Sequence, residues 1–151
     1  MRIPNGVVAF LAIAVGVAVS SCASVIDTGF TPYSSTSVGQ PLVARAVVAY
    51  EGDLPGFQSL GSVLIGTVTV QARASATLEE IQGAAAELAA RYGGTHIVLS
   101  STSQTQQVSG GGRTGVYTST TVQCDYLVVQ VPPPRWAELP PQLYPAPTAV
   151  R

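Results

Sequence analysis

Lysine is absent from this 151-residue chain and histidine occurs once. Charged residues make up only 10% of it, as seven arginines against eight carboxylates. A balance that thin offers no basic stripe for nucleic acid and no acidic run for a counter-charged partner. No GxSxG, HExxH or CxxC pattern occurs, and the adjacent Glu79 and Glu80 suit a helix start better than acid–base work. Cysteine stands only at positions 22 and 124. One histidine and one spare cysteine cannot fill a metal's coordination shell, so no metal and no cofactor is expected. The composition points away from an enzyme. With so little charge, the surface must rely on Ser, Thr and Gln for solubility, and the lysine-free, Ala/Gly/Val/Arg-rich usage fits a GC-rich bacterial genome.

Long apolar runs are scarce too. Val7 to Val19 is uncharged for thirteen residues, short of the roughly 20 a membrane-crossing helix needs. Arg2 precedes it and Val19-Ser20-Ser21-Cys22 follows. A positive start, a short apolar core and a small-residue exit are the parts of a secretory signal, here residues 1–21. The tetrapeptide matches a bacterial lipobox, which makes Cys22 the lipidated first residue of the mature protein. The alternatives are free secretion with an incidental cysteine, or an uncleaved anchor. Ala23 in place of aspartate points to the outer membrane, by analogy with enterobacterial lipoproteins. With Cys22 acylated, Cys124 has no intramolecular partner, and a disulfide framework is excluded.

The mature chain is long enough for one domain. Residues 22–41, rich in Ser, Thr, Gly and Pro, read as a lipidated N-terminus and flexible tether with a reach of roughly 25 Å. Residues 42–131 form the domain. Strands are expected at 42–50, 60–71, 96–107 and 116–131, where β-branched residues alternate with polar ones. Gly61 and Gly66 mark a bulge or a close backbone approach in the second. Thr77 to Tyr92 is the clearest helix. Thr77 and Glu80 make a capping box, Leu78, Ile81, Ala85, Leu88 and Tyr92 a stripe, and Gly93-Gly94 a stop. The order β-β-α-β-β predicts an α+β, two-layer fold: an antiparallel or mixed four-stranded sheet with one helix on one face. Seven of eleven prolines fall in 132–151, so this tail reads as extended and disordered.

The candidate site residues are few. A hairpin centred at residue 110 or 111 would set His96 opposite Cys124, Asp125 or Tyr126. With Ile97 and Leu99 as the core pair, His96 falls on the other face beside Asp125, which makes those two the candidate ligand contacts. Cys124 is then a small buried hydrophobe. The tip Ser109-Gly-Gly-Gly-Arg113 joins two strands, unlike a phosphate loop before a helix. Arg113 on that loop and Trp136 in the tail are the candidate partner contacts. The Thr/Ser-rich strand faces read as solvated surface.

Leu60-Gly61-Ser62-Val63, the alanine-rich helix and Tyr92-Gly93-Gly94-Thr95-His96-Ile97-Val98 together resemble a group of small bacterial envelope lipoproteins. That group includes the outer-membrane sensor of the Rcs pathway. Gly-Gly-Thr-His stands here where the group often has Gly-Ala-Asn-Ala, and the sensor's paired cysteines are missing, so redox-dependent stress sensing is not implied. The resemblance implies a lipid-anchored, non-catalytic interaction or sensor/adaptor domain with an envelope protein partner. The alternative, a small-ligand or metal-binding module, comes from a heavy-metal-binding label carried by some similar domains.

Overall fold

The computed structural model describes residues 25–34, 38–110, 112–113 and 115–147. The expected signal peptide and Cys22 lie outside the described residues.

Five strands form one sheet: β1 (Ile26–Pro32), β2 (Val47–Ala49), β3 (Val63–Arg73), β4 (His96–Gly110) and β5 (Val116–Gln130). Their order is β1-β3-β5-β4-β2, with every neighbour antiparallel except β2, which runs parallel to β4. Among the described residues two α-helices accompany them, α1 (Leu54–Ser59) and α2 (Leu78–Arg91). The expected α+β plan holds, with a fifth strand added at the β3 edge.

α2 begins where the Thr77 hydroxyl accepts from the Glu80 amide at 3.2 Å, while the Glu80 carboxylate accepts from the Thr77 amide at 2.7 Å. These two bonds satisfy amides that a helix start would leave orphaned. It ends at Gly93, whose φ of +91° suits glycine alone, with Gly94 N–H donating to the Ala89 carbonyl at 2.9 Å. The buried face is Ile81, Ala85, Ala86, Ala89 and Ala90, and Leu78 stays exposed. Alanines let the helix lie close to Val68, Val70, Tyr126 and Val128 of the sheet. Gly94 is part of that closeness, because a Cβ there would strike the Val128 side chain.

The first expected strand, 42–50, shortens to Val47–Ala49, α1 forms at Leu54–Ser59 where no helix was expected, and two further segments depart from the sequence expectation. Residues 26–32 of the expected tether are β1, paired along β3 from Ile26↔Ala72 to Pro32↔Gly66. Phe30 secures this strand. Its ring stacks on Tyr92 at 4.1 Å and lies over Gly66, where a Cβ would come within 2.6 Å of Cζ. The register shifts between Leu64 and Gly66, the irregularity that glycine signalled. The expected disordered tail is also ordered as far as Pro147: 3-10 helices at Pro133–Glu138 and Pro141–Leu143 turn Trp136, Leu139 and Leu143 inward. Proline starts each helix, where its missing N–H costs nothing. The three side chains cover Phe57, Val98, Val129 and Val131, on the sheet face opposite α2. That face is therefore apolar and covered at one end, and polar and open at the other.

β4 and β5 run on together past the rest of the sheet. β3 accompanies β5 only as far as Arg73↔Thr121, and β2 accompanies β4 only from His96 to Val98. Beyond them the hairpin is a two-stranded arm, exposed on both faces up to the turn at Gly112 and Arg113.

Candidate functional site

The candidate ligand pair does not meet. His96 lies opposite Val129 and Asp125 opposite Ser101. They share a face but stand four residues apart along β5, about 13 Å at the usual rise. Glycines at 112 and 115, with φ of +95° and +92°, stretch the turn and centre it near residue 113, not 110 or 111. That slides every cross-strand partner of β4 toward the end of β5. A second shift between Leu99 and Ser101 leaves Leu99 exposed rather than in the core.

His96 is wholly buried beneath the tail and committed to structure. Its Nε2 lies 2.7 Å from the Leu143 carbonyl, and Phe57 packs beside the ring at 4.6 Å. A carbonyl only accepts, so Nε2 carries the proton and Nδ1 of the neutral ring accepts from the Thr95 hydroxyl at 2.8 Å. The Thr95 oxygen in turn accepts from Val131 N–H at 2.9 Å, and Trp136 Nε1–H donates to the Val131 carbonyl at 2.9 Å. This chain of bonds fastens the tail to the sheet. Burial pushes the His96 pKa below 6.5, opposed by the Leu143 carbonyl and then by the Asp53 charge. With both ring nitrogens engaged, His96 offers a metal nothing. Among the described residues no three His, Cys, Asp or Glu side chains group as a metal site.

Asp125 sits on the open half of the same face. It accepts from the hydroxyls of Thr69 and Ser101, each at 2.7 Å, and from the Gln123 amide at 3.4 Å. The Thr69 and Ser101 hydroxyls hold its carboxyl below the ordinary range. Three neighbouring strands thus share one acceptor, and its spare valences are largely used. Cys124 is buried on the α2 side, as the alternation requires, with Thr102 3.9 Å away. Among the described residues the buried Tyr126 hydroxyl has no nitrogen or oxygen partner, only the weakly bonding Cys124 thiol nearby, and burial, then Cys124, lifts its pKa to about 12.

Trp136 is buried, bonded to the Val131 carbonyl and set in a T-shaped pair with Tyr144, so it is not available as a partner contact. Reading the tail by composition alone missed this; the signal was Trp136, Leu139 and Leu143 at intervals of three and four. Arg113 is exposed at the arm's tip, as expected. It is the only formal charge between Arg91 and Asp125. A cleft of about 240 Å³ lies between α1 and the tail, with Asp53, Phe57, Leu60, Glu138 and Leu139 in its walls. It is smaller than most ligand sites, and Glu138 already pairs with Arg135 at 2.8 Å.

The most distinctive unfilled feature is the outer edge of β4. Among the described residues nothing pairs with it beyond Val98, and from Leu99 to Gly110 it carries no charge and no proline. Natural edges are usually blunted by such residues.

No family model and no curated protein matches this chain. A crystal structure of the Francisella virulence factor FvfA, in its orthorhombic form, aligns with 69% of this chain and 98% of that one, at 16% identity and a TM-score of 0.39. So low a score carries no argument about fold or function.

Proposed function

We propose that this is a lipid-anchored bacterial envelope protein whose domain is a non-catalytic interaction or sensor/adaptor module, held at the outer membrane through Cys22. The observation that carries the reading is the open β4 edge. A strand edge recognises an extended segment of a partner through main-chain hydrogen bonds, and needs no catalytic group to do so. The same reading accounts for the poverty of available chemistry. The histidine and the thiol are both buried, and His96 holds the tail in place. The lipobox at Val19–Cys22 and the resemblance to small envelope lipoproteins support the anchored location.

Two experiments test it. A photo-crosslinking residue at Gln104, midway along the edge, is expected to give a discrete adduct with an envelope protein in living cells; smears or no product would remove the edge as the site. Cys22→Ser is expected to abolish lipidation and fractionation with the outer membrane, and retention there would remove the lipid anchor.

A further inference from the structure

The N-terminus and the arm leave the sheet from the same end. Ile26, the first residue of β1, lies opposite Ala72 near the end of β3, and the arm continues past that level. Only four residue steps separate Cys22 from Ile26, a span of at most about 14 Å. From Thr120 to Val116 the arm projects about as far, ~14 Å, before its turn is added. Wherever the lipid on Cys22 is seated, the tip of the arm is within reach of the same surface.

The tip has the chemistry for that surface. Val108 (64% exposed), Val116 (70%) and Tyr117 (66%) are the large apolar side chains nearest the turn, and they point to both faces of the hairpin. Arg113 at the apex is the arm's single charge. Apolar side chains, one tyrosine and an arginine without a carboxylate partner suit the headgroup layer, where tyrosine favours the boundary and arginine meets phosphate. Asp27, Glu79 and Glu80 also lie toward this end, on β1 and at the start of α2. They are set back by the arm's length, beyond a Debye length of about 8–10 Å.

We infer that the tip of the β4–β5 arm is a second membrane contact: Val108, Val116 and Tyr117 enter the interface of the bilayer that holds the lipid anchor, and Arg113 engages its phosphates. The inference rests on the anchored reading and deepens it. Two points of attachment fix the domain's orientation, which one flexible lipid cannot, and hold the β4 edge upright from the surface.

Arg113 is also a trypsin site, so the test is proteolysis of the full lipidated chain in vesicles of phosphatidylethanolamine and phosphatidylglycerol. Arg135, at the opposite end of the domain, serves as internal reference. Cleavage at Arg113 relative to Arg135 is expected to rise about tenfold in V108D/Y117D, the factor that 1.4 kcal/mol of tip–bilayer affinity would give. Both substituted residues are exposed, so the fold is retained, and circular dichroism checks that. Equal relative cleavage in wild type and variant would overturn the inference. So would protection of Arg113 that appears only when envelope proteins are added, which would mark a protein contact. A chain that fails to sediment with the vesicles at all refutes the anchored reading instead.

Discussion

Replacing Thr95 with valine keeps the side chain's shape and removes one hydroxyl, which makes it the cleanest test of how the tail is held. That oxygen receives the buried Val131 amide and donates to His96 Nδ1. Without it both groups are left unsatisfied in a region with no exposure, and each such group costs about 1–3 kcal/mol. Allowing for partial relaxation, Thr95→Val should destabilise the domain by about 2–4 kcal/mol, or roughly 10–15 °C in Tm for a chain of this size. Thr95→Ser keeps the hydroxyl and loses one methyl group, so about 1 kcal/mol is expected. Trp136 is the only tryptophan and sits in the fastened tail, so urea unfolding followed by its fluorescence reads the effect directly. A Thr95→Val midpoint equal to that of Thr95→Ser would refute the argument that these bonds secure the tail.

Three further outcomes are expected. His96 has a folded-state pKa below 6.5, so its contribution is complete above that value and is lost as the pH falls through the folded pKa. Urea midpoints should therefore decline as the pH falls below about 6.5, and His96→Gln should flatten that decline; a slope unchanged by the substitution would count against it. Tyr126→Phe removes a buried hydroxyl with no nitrogen or oxygen partner among the described residues, so calorimetry should find Tm unchanged or raised, and a clear fall would show that its contact with the Cys124 thiol is stabilising. Gly94→Ala should lower stability by about 1–3 kcal/mol, because its Cβ meets Val128 and the Ala89 carbonyl; an unaffected thermal midpoint would mean that α2 can lift from the sheet at no cost.

What was legible in the sequence was whatever had local cause. Thr77, Glu80 and Gly93-Gly94 mark the ends of α2 through bonds made within a few residues, and the alternation around Cys124 assigns its face without reference to any partner. β1 was not legible. IDTGFTP contains Gly and Pro, and Phe30 acquires its role only from Tyr92 and Gly66, both distant in sequence. The tail misleads for the same reason: proline suppresses helix and sheet patterns, while the groups that order it, His96 and Thr95, lie in another element. The candidate pair His96–Asp125 failed on arithmetic. A turn placed two to three residues early moves cross-strand partners by twice that number.

The order β1-β3-β5-β4-β2 places at the centre of the sheet the strand that the ribosome makes last. β3 and β4 both pair with β5, so until residue 130 is available β4 has only the three-residue parallel contact of β2, and β1–β3 is a two-stranded ribbon, marginal by itself. The nascent chain consequently has no stable sheet to form until β5 has been made. This topology defers folding until β5 is present, and a chain truncated before β5 should not fold at all.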